Sequence, residues 1–348
     1  MTALTTPGRP EQDASPRPVP WRRMAWVTWR QHRFALGGVA ALLGALAVWL
    51  WLIGLQAHHA YAAAADCHPA SSSACGLLVG SFISHLSAAQ NVAIVLQVVP
   101  ALIGAFVGAP VLAREVETGT FRYAWTLGFG RWRWTLAKLV PLGVAVAAAA
   151  GLFSLLFSWY YQPFFVQTFS GNVQVPLYST VFDLRGVAFA AWTLAAFAIG
   201  ALVGMLIRRV VPALAATLVV YAGLAVAAGA YLREHYLTPL LVKNVNPPSS
   251  ALIISQQWYA KGGQPASQAV LGQVLQQGAP QLGGGKGGIP QQDVTVNQWL
   301  IQHGYTLWTS YQPESRFWPF QWIEGGWLLA LSMLLIAASA WLVSRRAA

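Results

Sequence analysis

Arg114-Glu-Val-Glu-Thr-Gly-Thr-Phe-Arg-Tyr-Ala-Trp-Thr126 is a charged, aromatic stretch set between two long apolar runs, Val92 to Ala113 and Leu139 to Tyr160. A membrane-crossing helix needs about 20 mainly apolar residues, and each flanking run is that long. Backbone N–H and C=O groups in hydrocarbon must bond within their own segment, so both runs are expected to be helices. Outward from this pair, four more runs qualify: Phe34 to Leu55, Gly186 to Ile207, Val210 to Leu232 and Trp322 to Val343. The fold class this predicts is an all-α integral membrane protein with six transmembrane helices.

Composition agrees. Charged residues make up 9% and hydrophobic residues 56% of the chain, whereas a soluble domain carries about 25% charged residues. The formal net charge is +11, but the basic residues gather beside the apolar runs. That pattern sets orientation in a bilayer and does not form the basic patch of a nucleic-acid-binding protein. The first run follows a basic stretch and precedes Ala62 to Ala65, as in a secretory signal; its length exceeds the roughly 7–15 residues of a signal core, so an uncleaved anchor is expected.

Lys and Arg mark one side. Arg9, Arg17, Arg22, Arg23, Arg30 and Arg33 precede the first run; Arg114, Arg122, Arg131, Arg133 and Lys138 fill the 114–138 loop; Arg208 and Arg209 join runs four and five; Arg345 and Arg346 follow the sixth. The alternate loop from Gln56 to Asn91 holds neither Lys nor Arg, and the next holds only Arg185, with Asp183 at hand as a partner. Positive charge stays inside, which puts both termini in the cytoplasm. Trp49, Trp51, Tyr160, Tyr161, Trp322, Trp327 and Trp341 lie at run ends, where amphipathic rings favour the headgroup level.

The predicted organisation is then a cytoplasmic tail and interfacial helix over 1–33, spans one to five over 34–232 with the loop 114–138, an extracellular module over 233–321, and the sixth span with its tail over 322–348. Residues 1–20 read as a disordered tail. Trp21, Ala25, Thr28 and Trp29 share a helical face, with Arg22, Arg23, Arg30 and Arg33 around the rest. This predicts a short amphipathic helix in the interface plane, or else plain juxtamembrane charge. In the 114–138 loop, Thr118-Gly119-Thr120 offers a break and a cap. Phe121, Arg122 and Trp125 then predict a short amphipathic helix tied closely to two spans.

Here the residues resemble a family. Ala113 to Thr120, Trp125-Thr126, Gly130-Arg131 and Trp134 with Lys138 look like the membrane subunit of ATP-binding-cassette exporters of the type-2 permease family. Tyr311 to Glu324 is similar to the last outer loop of actinobacterial members. The resemblance implies six spans and a cytoplasmic coupling helix, between spans two and three, that docks on a separate ABC ATPase. It also implies a second permease copy, identical or related, in a bacterial plasma membrane. Arg114, Glu115, Glu117, Thr120 and Arg122 would form the ATPase-coupling region. Glu115 and Glu117 would pair with basic residues of the ATPase, of the amino-terminal helix, or with each other's neighbours locally.

Hydrolysis would be borrowed. Gly283-Gly-Gly-Lys-Gly-Gly288 lacks the first Gly of a phosphate-binding loop at the required spacing, and Gly287 rather than Ser or Thr follows Lys286; it reads as linker. No catalytic residue, metal site or cofactor is assigned to this chain, and ATP and Mg would sit on the partner. Cys67 and Cys75, eight apart in an outside loop, are expected to form a disulfide; His58, His59, His68 and His85 nearby lack metal-ligand spacing and read as solvated. In the long module, Ala266 to Gln277 predicts a helix and Tyr305 to Tyr311 a strand.

Gly104 and Gly108, and again Gly200 and Gly204, fall four apart, a spacing that lets membrane helices approach closely. Pro100 and Pro110 should disturb the second span. Few ionisable groups fall deep in any run, which disfavours ion-coupled carriage and suits an amphipathic or hydrophobic cargo: drug, lipid or peptide-like. The alternative is a membrane-bound receptor or resistance protein acting through its extracellular module. An intramembrane enzyme fits least, since Glu234-His235 is the nearest acid–base pair and no His-Glu-x-x-His occurs.

Overall fold

Apolar segments kept from water fold as helix because a helix closes its backbone bonds within one segment, and six such spans run through the described residues. The computed structural model describes residues 21–69, 72–119, 131–165, 174–278 and 293–345. Its spans are Leu36–Ala65, Ser73–Thr118, Trp132–Phe165, Gly186–Ile207, Val210–His235 and Glu314–Arg345, numbered 1 to 6 in this order. The Phe121 to Trp125 helix, Thr120, Arg122, the tail 1–20 and the Gly283–Gly288 linker lie outside the described residues.

Two sequence expectations need correction. The amino-terminal segment is not a separate element, because one helix runs from Trp21 to Ala65. Trp21, Arg22 and Trp29 lie on that helix, and their side chains are outside the described residues. No Pro or Gly falls between Trp21 and Leu36, so nothing in the backbone stops the helix there. The Gln56–Asn91 loop is likewise mostly helix. Span 1 continues to Ala65 and span 2 begins at Ser73, where Ser72 Oγ accepts the Cys75 N–H at 3.2 Å as an N-cap. A disulfide joins Cys67 and Cys75 across the turn. His58 is not a solvated loop residue; it stacks on Trp159 with ring centroids 4.7 Å apart.

Span 4 is the hub, packed against spans 2, 3, 5 and 6, while span 1 packs on spans 2 and 3. Small residues make this possible. A Cβ on Gly104 would meet the Ala196 carbonyl oxygen at 2.5 Å, and one on Gly200 would meet the Gly104 carbonyl oxygen at 2.2 Å. Gly108 abuts the Phe197 carbonyl and Gly204 the Ala109 carbonyl in the same way. The two glycine pairs therefore form a backbone-to-backbone seam between spans 2 and 4, as their spacing predicts. Within that seam span 2 is irregular. Gly104–Gly108 is a π-turn in which the Ala109 N–H reaches the Gly104 carbonyl, directly before Pro110, which has no N–H to give.

The two ends of the bundle differ. At one end lie Arg345, the chain on either side of 119–131, and a two-residue turn, Arg208-Arg209, in which Arg208 takes a left-handed φ of 60°. At the other, the start of span 4 is clamped from both sides. Gln321 of span 6 accepts the Ala188 N–H at 2.8 Å and donates to the Phe182 carbonyl at 3.1 Å, and Ser154 of span 3 donates to the Gly186 carbonyl at 3.0 Å. Gly186 has φ +59°, and a Cβ there would lie 2.7 Å from the Gln321 amide oxygen.

Between spans 5 and 6 sits a three-stranded antiparallel sheet: β1 Leu240–Lys243, β2 Leu252–Tyr259 and β3 Thr306–Gln312, in the order β1-β3-β2. Helices Gln268–Gly278 and Asp293–Gln302 intervene. The sheet is moored to the bundle by Gln312, which donates to the Leu237 carbonyl at 2.7 Å, and by Arg316, which donates to the Thr238 carbonyl at 2.7 Å.

Candidate functional site

At the end that holds Arg345 and the Arg208-Arg209 turn, span 2 runs out in Arg114-Glu-Val-Glu-Thr118. Arg114 is exposed. Glu115 makes an ion pair with Lys138 at the start of span 3, and the two side chains are 17% and 4% exposed. The Lys138 ammonium also lies 4.1 Å from the centre of the Trp134 ring, while the second Glu115 oxygen is buried without a hydrogen-bond partner among the described residues. Glu117 accepts the Val210 N–H at 3.1 Å, so its charge meets the positive end of the span 5 helix. Thr118 Oγ1 donates to the Arg114 carbonyl at 2.8 Å, and Gly119 closes the helix at φ +71°.

Among the described side chains, the partners of these acids lie on spans 3 and 5, while most side chains of the amino-terminal segment lie outside the described residues. Glu115 joins span 2 to span 3 and Glu117 joins span 2 to span 5, so the segment entering residues 119–130 is tied to three spans at once. Spacing along the sequence gave no view of this, since Glu117 and Val210 are 93 positions apart.

The opposite end holds a second cluster. Arg233, closing span 5, donates from Nη2 to Glu324 Oε1 at 2.8 Å and Oε2 at 3.1 Å, and from Nε to Oε2 at 3.2 Å. The same guanidinium bonds Asp183 and lies 4.3 Å over the Phe182 ring. Glu324, in span 6, also accepts Trp192 Nε1 of span 4 at 2.8 Å and the Tyr236 hydroxyl at 3.1 Å. Trp327 Nε1 donates to that hydroxyl at 2.9 Å. Burial, opposed by Arg233 and reinforced by Glu324, pushes the Asp183 carboxyl up to about 7. Burial and the Glu324 charge also raise the Tyr236 phenol.

This cluster corrects one expectation. Asp183 pairs with Arg233 rather than Arg185, whose guanidinium instead lies over the rings of Phe165 and Phe317, at 4.2 and 4.7 Å. Glu324, the third residue of the run Trp322 to Val343, is fully buried within the protein at this end of the bundle. The signal was present: Glu324 lies inside the run Trp322 to Val343, and an ionisable residue in such a run demands a partner.

A family model described as ABC-2 membrane transporter related matches residues 40–233, which is more than half of the chain. Comparison with curated proteins and with solved structures gives no match. The matched stretch covers the span 2–4 seam and both acids of the 114–118 segment. With six membrane-capable helices and this match, the chain is a multi-pass transmembrane transporter subunit and belongs to the ABC-2 membrane transporter related family.

Proposed function

We propose that the chain is the membrane subunit of an exporter driven by a separate ABC ATPase, which docks at the end carrying the termini. Both termini and the 114–138 loop then face the cytoplasm of a bacterial cell, the sheet module of 233–321 faces outward, and a second permease copy completes the route. ATP and Mg are bound and used on the ATPase. The cargo class that suits the apolar spans is amphipathic or hydrophobic.

One observation carries this reading: the flanks of 119–130 are bonded to spans 2, 3 and 5 through Glu115–Lys138 and Glu117–Val210. A displacement of that loop is passed to half of the bundle without slack. Taking two arrangements of the spans from 1:99 to 99:1 requires about 5.5 kcal/mol of differential binding, which a nucleotide-driven partner supplies.

The test is pull-down of the full chain from its native membrane. An ABC ATPase is expected to co-purify, and Arg114→Glu, at an exposed position, should lower its turnover in the complex about tenfold while leaving the melting midpoint of the permease unchanged. If no ATPase co-purifies and added ATPase turns over alike with both variants, the reading is wrong.

A further inference from the structure

Asp183, Arg233 and Glu324 place two carboxylates on one guanidinium. With every group ionised the cluster carries one surplus negative charge, in a site where Arg233 and Glu324 are 2% and 0% exposed. A buried charge without a partner is strongly disfavoured. Among the described residues, the remaining neighbours supply no second cation. Trp192 and Tyr236 donate neutral hydrogen bonds to Glu324, Trp327 donates to Tyr236, and the Tyr221 phenol, in T-shaped contact with Trp192, feels both acids. His235 faces away, with its ring bonded to the Tyr231 carbonyl at 2.8 Å and exposed. Arg185 is engaged on Phe165 and Phe317.

We infer that Asp183, Arg233 and Glu324 form a proton-binding lock that fastens the ends of spans 4, 5 and 6 to the connector before span 4. The proton adds to the Asp183 carboxylate, giving the neutral acid. Asp183 and Glu324 both accept from Arg233 Nη2, which sets the two carboxyls side by side, so the new O–H donates to the Glu324 carboxylate, and Arg233 keeps its charge and balances that carboxylate. The lock is then neutral and closed. Losing the proton restores the surplus charge, and the site must admit water or part. Asp183 is the member with an opening to solvent, its side chain 15% exposed, so it is the entry point. The carboxyl held up to about 7 places the change near neutral pH. The sign follows: a carboxyl whose native value exceeds its unfolded one stabilises the native state as pH falls through the native value, and the penalty is fully present above it.

Because the readouts are those of the purified permease, the lock stands or falls apart from the ATPase reading. In detergent, the wild-type melting midpoint should rise by a few degrees per pH unit as pH falls from 8 to 6. Asp183→Asn, which copies the neutral acid, should flatten that slope and hold the low-pH midpoint, and Asp183→Glu should keep the slope. The infrared spectrum of the wild type should gain a protonated-carboxyl band over the same range that is missing from Asp183→Asn. If Asp183→Asn does not fold, the band should shift in Asp183→Glu. An unchanged slope in Asp183→Asn, or no protonated carboxyl appearing between pH 8 and 6, overturns the proposal.

Discussion

Gly200→Ala is expected to pry span 4 from span 2 and to lower the melting midpoint of the purified protein by roughly 5–10 °C. The added methyl would lie 2.2 Å from the Gly104 carbonyl oxygen and 2.8 Å from the Ala109 nitrogen. Both are backbone atoms, so no side-chain rotation relieves the overlap and the helices must separate. Overpacking a dense interior costs about 1–3 kcal/mol and sometimes more, and the midpoint moves about 2–4 °C per kcal/mol in chains of 150–250 residues. Separation would also uncouple the π-turn at Gly104–Gly108 from its support on span 4. Gly44→Ala and Gly223→Ala are the controls, since neither added methyl meets anything within 4 Å. Each should hold or slightly raise the midpoint, because Ala favours helix over Gly by about 1 kcal/mol. A Gly200→Ala protein as stable as these controls would mean that the seam is not what holds spans 2 and 4.

The seam was legible in the sequence because a spacing of four is a local property of a helix, visible without knowing the partner. The spans were legible for the same reason, apart from the end of span 1, the start of span 6 and, furthest out, the start of span 2. Ser81, Ser84, His85, Ser87, Gln90 and Asn91 dilute its hydropathy, yet Phe82 and Ala89 are buried on the packed face, and helix needs only one such face. Within the module, β3 and the helix near 268–278 were foreseeable from their own pattern. β1 and β2 were not, since they pair with β3 across some 50 to 70 positions. Distance along the chain also hid the Glu117–Val210 contact, 93 positions long, and the Arg233 cluster. Arg233 and Glu324 are 91 positions apart, and Asp183 had a nearer, wrong candidate in Arg185. Charge in an apolar run announces that a partner exists; only packing says which.

That distinction governs how a defect at Glu115 is to be understood. Glu115→Ala removes the partner of Lys138, whose side chain is 4% exposed, and breaking a buried pair by truncating one member costs about 3–5 kcal/mol. A large loss of stability and of transport is therefore expected whether or not Glu115 touches another protein. The exchange Glu115→Lys with Lys138→Glu separates the two cases. It restores an ion pair across spans 2 and 3 while reversing the charge that either position would show a partner. Recovery of most of the lost stability is expected, read as a double-mutant cycle in the melting midpoint. It should be incomplete, because the Trp134 ring that now faces the Lys138 ammonium at 4.1 Å would face a carboxylate, which the ring's negative face repels. If Glu115 transmits motion through Lys138, ATPase turnover in the complex returns with stability. If it binds the ATPase directly, the exchanged protein folds but turnover stays at the level of Glu115→Ala. The buried geometry of the pair favours the first outcome, with exposed Arg114 and Glu117 left as charges on the described part of this segment that a partner can reach.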